Sequence, residues 1–286
     1  MTLICIGPVT KDLIIVGSEK SFKVGGATYF QSFVFEEYFN DYLAIVNTSS
    51  KELINEFPDI SKVKVLLKED THYFINHYPK RDNLDLRHQL SNFAKIPILK
   101  KDLENILKNL KIDAIVLNPL NRYDFPKDTI EYLKSFNVPI YLSIQGFLRC
   151  PHEKFNDYYT IKLKRIDDLD NILSGINGIF LDEDEAAILG DVEASEIVIT
   201  NGSKGSRIIS GNEIKIKAVE CSQVADSTGC GDTYMAAYIS KRLKGGNIKE
   251  SGDFASKISS CKLEKSGPFL ISLVRSEERR VGKECR

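Results

Sequence analysis

The sequence predicts an α/β protein whose mostly parallel sheet carries helices on both faces. Two observations predict it. Short apolar runs of β-rich composition alternate along the chain with segments of helical periodicity. Glycine-rich stretches stand beside those runs, where open α/β sheets place their ligand loops, beyond the carboxyl ends of strands. A chain of 286 residues, 42% of them hydrophobic, suffices for one large buried core.

In chain order, Leu3–Ile6 is a short apolar strand. Ala27–Phe39 is a longer apolar segment behind a double glycine, and Tyr42–Val46 is a strand. Lys51–Phe57 reads as a helix that stops before Pro58. Val63–Leu67 and His72–Tyr78 read as a strand pair, the second alternating polar and apolar residues. Leu99–Leu110 has helical spacing, Ala114–Leu117 is a buried strand, and Pro126 opens a further helix. Pro139–Leu142, Gly178–Leu181 and Ile197–Thr200 are strands. Gly205–Ile209 and Glu213–Lys217 form a hairpin across Ser210, Gly211 and Asn212. Gly229–Leu243 and Phe254–Leu263 close the pattern as helices.

The composition excludes several function classes. With 39 basic and 40 acidic residues the chain has no global basic field to draw in nucleic acid. No run approaches the roughly 18 apolar residues of a membrane span, and the start of the chain lacks the pattern of a secretory signal. A cytoplasmic location is expected. The cysteines (Cys5, Cys150, Cys221, Cys230, Cys261 and Cys285) form no C-x-x-C pair and are expected to be separate thiols. His72, His77, His88 and His152 lack ligand spacing, so no transition-metal site is expected. Residues 276–286 break the style of the chain, with many charges and almost no apolar side chains; they are expected to be a non-native tail, with 1–275 as the domain.

The segment that carries chemistry is Asp226-Ser227-Thr228-Gly229-Cys230-Gly231-Asp232, followed by small and apolar residues at helical spacing. Its glycines permit close backbone approach. The first N–H groups of a helix have no intrahelical partner and carry partial positive charge, which suits a phosphate gaining charge during transfer. Asp232 would stand at the mouth of that anion site, able to take a proton from a hydroxyl. Glycine and aspartate before a helix also serve as a plain N-cap, so the loop alone does not decide.

Residues 226–232 resemble at every position the D-[ST]-T-G-[AC]-G-D signature of the ribokinase-like family, the PfkB-type carbohydrate kinases. Further resemblances lie in the same order: Gly7 with Asp12, the double glycine Gly25-Gly26, Asp182 to Glu185 in place of an N-x-x-E element, Thr200 to Gly205 in place of a T-x-G-x-x-G loop, and the helix ending at Gly267-Pro268. The resemblance implies a three-layer α/β/α sandwich with a small β lid from segments 12–24 and 63–78. It implies ATP-dependent transfer of the γ-phosphoryl group to a hydroxyl, with Asp232 as general base and Gly229, Cys230 and Gly231 as anion hole. It assigns ATP to Thr200, Gly202, Gly205, Thr228, Gly229 and Gly231, and the small-molecule substrate to Asp12, Gly25, Gly26 and Thr28. Asp182 and Glu185 would hold Mg²⁺ through water, as suits a hard cation that keeps its hydration shell. Lids of this family often mediate dimers, which leaves a homodimer through the lid open.

The chain departs from the pattern at Phe30, which stands where many members have a sugar-binding asparagine, and at Asp182, which replaces the N-x-x-E asparagine. Gln145 and Arg149, in a Q-G-x-x-R element after a strand, resemble inositol-kinase-like members and are candidates for a polyhydroxylated ring or a substrate anion. A sugar or cyclitol acceptor ranks first and a nucleoside second. A catalytically weak sugar or nucleotide sensor is the competing class. A dinucleotide dehydrogenase ranks third, for want of G-x-G-x-x-G after the first strand.

Overall fold

The computed structural model describes residues 2–79 and 88–270, and the charged segment 276–286 lies outside them. Strand β1 (Thr2–Ile6) lies inside a nine-stranded sheet, third from one edge. On one side follow β4 (Tyr42–Thr48) and β5 (Val63–Leu67); on the other follow β8 (Ile112–Leu117), β9 (Ile140–Ser143), β12 (Gly178–Asp182) and β13 (Glu196–Thr200), all parallel. The hairpin of β14 (Ser206–Ser210) and β15 (Asn212–Ile216) finishes one edge antiparallel.

Alternation within the strands builds two cores. Leu3 and Cys5 face α1 (Ala27–Tyr38), α7 (Cys230–Leu243) and α8 (Ile248–Leu263). Ile4 and Ile6 face the opposite layer, where α2 (Lys100–Leu107), α3 (Lys127–Lys134), α5 (Leu169–Leu173) and α6 (Glu183–Leu189) contribute Leu103, Ile130, Leu173 and Leu189. Strands buried on both faces read as continuous apolar runs, as Ala114–Leu117 does.

A second sheet of six strands runs β10 (Arg149–Phe155), β11 (Tyr158–Leu163), β7 (His88–Ser91), β6 (His72–Tyr78), β2 (Thr10–Val16) and β3 (Glu19–Gly25). Segment 12–24 lies within the β2–β3 pair of this sheet. Segment 63–78 does not stay together. Val63–Leu67 pairs in parallel with β4, from Ala44 opposite Val63 to Thr48 opposite Leu67, whereas His72–Tyr78 pairs with β2. The expected strand pair is therefore not formed. The split follows the pattern of each piece: 72–78 alternates buried and half-buried residues, as a sheet with one covered face requires. The hairpin of β10 and β11, rich in charge, gave no strand signal in the sequence.

Several helix bounds also differ. Residues 51–56 form a 3-10 helix rather than an α-helix, within the short connection from β4 to β5. The helix expected over 99–110 ends at Leu107 and starts where Asp102 Oδ2 accepts the Leu99 N–H at 3.0 Å. The last helix begins at Ile248, six residues before the expected Phe254. There Asn247 and Glu250 form a reciprocal capping box, each side chain accepting the other's backbone N–H.

Candidate active site

A cavity of about 330 Å³ opens at the carboxyl ends of the parallel strands, beside the point where the strand order reverses around β1. The last residues of β9, β12 and β13 (Ser143, Asp182 and Thr200) reach its wall. The second sheet closes the other side with Thr10, Asp12, Phe74 and Gln89. The starts of α1 and α7 complete it with Gly26, Ala27 and Phe30, and with Gly229, Gly231 and Asp232.

The 226–232 loop is built to present a helix end. Asp226 Oδ1 accepts the Thr228 N–H at 2.9 Å, and the Cys230 N–H donates to Ser227 O at 3.2 Å. Gly229 is the N-cap of α7 with φ of 77°, and a Cβ there would collide with the Phe30 ring. Only glycine combines that dihedral with that contact. Beyond Cys230, the first-turn amides of Gly231 and Asp232 precede any intrahelical acceptor, so the loop offers partial positive charge. Burial pushes the Asp232 carboxyl up to about 6, against the opposing charges of Arg149 and Lys262.

The opposite wall carries polar groups. Asp12 is buried, and its Oδ1 accepts the Thr10 hydroxyl at 2.6 Å. Gly25 lies across the strand from Thr10, and a Cβ there would stand 2.7 Å from Asp12 Oδ2; its role is to leave room for that carboxylate. Gly26 turns the chain into α1 with φ of 97°, pressed against Pro8 O. Gln145, at the start of the short helix α4 (Gln145–Leu148), and Arg149 both reach the cavity, and Gln145 Nε2 donates to Ser143 Oγ at 3.4 Å.

Asp182 and Glu185 are the N-cap and third residue of α6. Asp182 Oδ1 accepts the Glu185 N–H at 2.8 Å, and Glu185 Oε2 accepts the Asp182 N–H at 3.1 Å. One oxygen of each carboxylate is thus committed to the helix start, and both residues wall the cavity. Burial, then the charge of Asp182, pushes Glu185 up to about 7, with Arg149 opposing. Two carboxylates, each with one oxygen taken by the helix start, suit a hydrated Mg²⁺ better than a directly ligated ion.

Of the residues singled out in the sequence, the cavity gathers Asp12, Gly26, Gln145, Arg149, Asp182, Glu185, Thr200, Thr228, Gly229, Gly231 and Asp232. Five do not reach its wall. Gly25 supports Asp12 as described. Thr28 is fully buried below, where its Oγ1 accepts from Asn118 Nδ2 at 3.1 Å. The Cys230 thiol is pushed up to about 11 by burial. Gly202 and Gly205 shape the turn between β13 and β14, with φ of 49° and 91°.

Sequence reasoning passed over Gln89, Phe74 and Ser143 on the wall, and Lys262 behind it. Lys262 alone left a signal. It lies seven residues after Ala255 and four after Ile258, on the buried face of α8. Among the described residues no group of three or more His, Cys, Asp or Glu could hold a metal ion directly, and no helix is long and apolar enough to cross a membrane.

Residues 166–272, which contain the loops at 182–185, 200–205 and 226–232, match the model of the pfkB family carbohydrate kinases. Over 71 residues the chain is 39% identical to a nucleoside kinase of Methanothermobacter thermautotrophicus, a stretch covering 25% of this chain and 23% of that protein. The chain thus matches about a quarter of the length of this curated relative. A pyrophosphate-dependent kinase in the ribokinase family, solved with a pyrophosphate analog and myo-inositol, superposes with a TM-score of 0.80 at 22% identity over 96% of this chain and 99% of that one. Arabidopsis thaliana ribokinase, solved with ribose and ATP, gives 0.70 at 18% identity over 96% and 97%. The fold is ribokinase-like, and the resemblance to the PfkB-type family that residues 226–232 carry is borne out.

Proposed function

We propose that this protein is a phosphotransferase that moves a terminal phosphoryl group to a hydroxyl of a cyclitol or sugar, with Asp232 as general base. One observation carries the reading. Asp232 shares a single cavity with the open helix end at Gly229–Gly231 and with Asp12, Gln145 and Arg149. In the reaction, Asp232 takes the proton of the acceptor hydroxyl. The freed oxygen forms its bond to phosphorus as the bond to the leaving phosphate breaks. The helix end holds the equatorial oxygens while charge builds on them. Asp12 and Gln145 orient the acceptor. Arg149, from the second sheet, pairs with acceptor or phosphoryl charge. Mg²⁺, held through water by Asp182 and Glu185, would neutralise charge on the donor.

ATP is the donor that the signature leads one to expect. A second donor, pyrophosphate, is favoured by the likeness to the pyrophosphate-dependent kinase. A nucleoside acceptor is the alternative that the 71-residue match to a nucleoside kinase favours. The density of hydroxyl-recognising groups (Asp12, Gln89, Gln145 and Arg149) supports a polyol ahead of it. The five cysteines among the described residues are all free, which suits the reducing cytoplasm. The second sheet would act as a lid over the acceptor and as the contact of a homodimer.

The test is phosphoryl transfer from ATP or pyrophosphate to a panel of cyclitols, sugars and nucleosides. Transfer by the wild type, lowered about 10²- to 10⁴-fold in Asp232→Asn, supports the reading. Acceptor binding with no transfer from either donor supports the sensor instead.

A further inference from the structure

Two ammonium groups meet at the root of the 226–229 loop, outside the set of residues that the signature marks. Lys262 is fully buried on α8, and its Nζ donates to the main-chain oxygen of Asp226 at 2.7 Å. Lys23 reaches the same residue from β3 in the second sheet. Its Nζ lies 3.2 Å from Asp226 Oδ2 and donates to Ser266 Oγ at 2.7 Å. Asp226 Oδ2 also accepts from Ser266 Oγ at 3.1 Å and from the Gly267 N–H at 3.3 Å, while Oδ1 holds Thr228. Asp226 is therefore the knot between α8, β3 and the phosphoryl-binding loop.

A buried ammonium is costly unless opposing charge and hydrogen bonds satisfy it. Burial pulls Lys262 below the ordinary lysine range, and Cys230, Asp226 and Asp232 oppose that pull. Against its own burial, Asp226 is held down at about 2, by Lys262, the Thr228 N–H and Lys23. Apolar residues fill the same face of α8 at Ala255 and Ile258, so packing alone does not call for a lysine there. Lys23 has a second connection. It stands directly across the β2–β3 pair from Asp12, the carboxylate on the acceptor wall.

We propose that Lys262 and Lys23 are positioning residues for phosphoryl transfer: Lys262 is the resident counter-charge that fixes the 226–229 loop, and Lys23 ties that loop to the strand pair carrying Asp12. The consequence for rate rests on the phosphotransferase reading; the positioning itself does not.

Two measurements separate them. Hydrogen exchange of the amides at 226–231 is compared among wild type, Lys262→Met and Lys23→Met. The expected result is faster exchange confined to that loop, with the strands of the nine-stranded sheet unchanged. Unchanged loop exchange in both variants overturns the proposal, whether or not the protein has activity. Should Lys262→Met fail to fold, Lys23→Met, at a partly exposed site, carries this comparison alone.

Kinetics then read the function. Lys262→Met should lower kcat about 100-fold, the scale of a small misplacement of reacting groups, with acceptor KM little changed. Lys23→Met should change kcat and acceptor KM together, and Lys23→Arg should restore both. Lys262→Ala should regain rate with added methylammonium or potassium, which a purely structural lysine would not allow. An active enzyme whose kcat survives both methionine substitutions also overturns the proposal. Loss of transfer in the wild type with either donor would sink the phosphotransferase reading while leaving the exchange result to decide the positioning.

Discussion

A carboxyl group that accepts a proton near neutral pH works best when it titrates close to neutrality, and burial moves Asp232 in that direction, to about 6. The base must be ionised, so the rate should fall as pH drops through about 6, towards tenfold per unit. A pH–rate profile of kcat over KM checks this; a flat profile from 5 to 8 would remove Asp232 from the role. The same shift predicts a stability effect of opposite use. The folded pKa lies above the unfolded value of 3.8, so the folded state binds more protons between 3.8 and about 6, and stability is lost as pH rises through that window. Asp232→Asn should therefore raise Tm at pH 7 while lowering transfer about 10²- to 10⁴-fold, with the gain vanishing below pH 4. Asp226 behaves in the reverse sense: its contribution is present above 3.8 and is lost as pH falls towards about 2. Asp232 was legible because seven consecutive residues specify one loop. Gln89 and Ser143 were not, since a polar residue on a strand carries no local mark of what stands opposite.

The two glycines of the α7 start make different demands. Gly229 holds φ of 77° against the Phe30 ring, so Gly229→Ala should cost about 1–2 kcal/mol for the left-handed backbone alone, and more for the collision. Gly231 has ordinary dihedrals and no atom within 4 Å of an added Cβ, yet it lines the cavity. Gly231→Ala should keep the wild-type Tm and still lower kcat, because its methyl group enters the space for the phosphoryl oxygens. Thermal denaturation beside initial rates distinguishes the two; a loss of Tm in Gly231→Ala, or none in Gly229→Ala, contradicts this account. At this scale the sequence served best where periodicity was long, as in α7, and least where partners decide. Val63–Leu67 and His72–Tyr78 are both good strands, and nothing local says that they enter different sheets. The β10–β11 hairpin is mostly exposed and polar, and long-range pairing with β7 completes it.

The whole molecule is two sheets facing one cavity, and they differ in what covers them. Helices cover both faces of the nine-stranded sheet, so its strands announced themselves as apolar runs and the ribokinase-like fold could be anticipated. The six-stranded sheet turns one face to the cavity, with Asp12 and Phe74 neighbouring across β2 and β6. Strand alternation sends the next residues to the outer face. There Phe22, Leu13, Ile75 and Leu90 stand in one row across β3, β2, β6 and β7. Phe22 is 61% exposed, and Tyr73 meets it edge-on with ring centroids 6.5 Å apart. An apolar row this long on a sheet's outer face is the feature expected of an interface. A second copy that laid the same row against it would satisfy two-fold symmetry, since the patch is its own complement. Sedimentation velocity at micromolar concentration should then give a dimer. Phe22→Glu together with Leu13→Lys should give a monomer with a lower Tm, as loss of a stabilising partner requires, and with a raised acceptor KM, because the strands that hold Asp12 lose their outer support. A wild-type chain that sediments as a monomer would mean that this row serves lid stability alone, and that the cavity is completed by a single protomer.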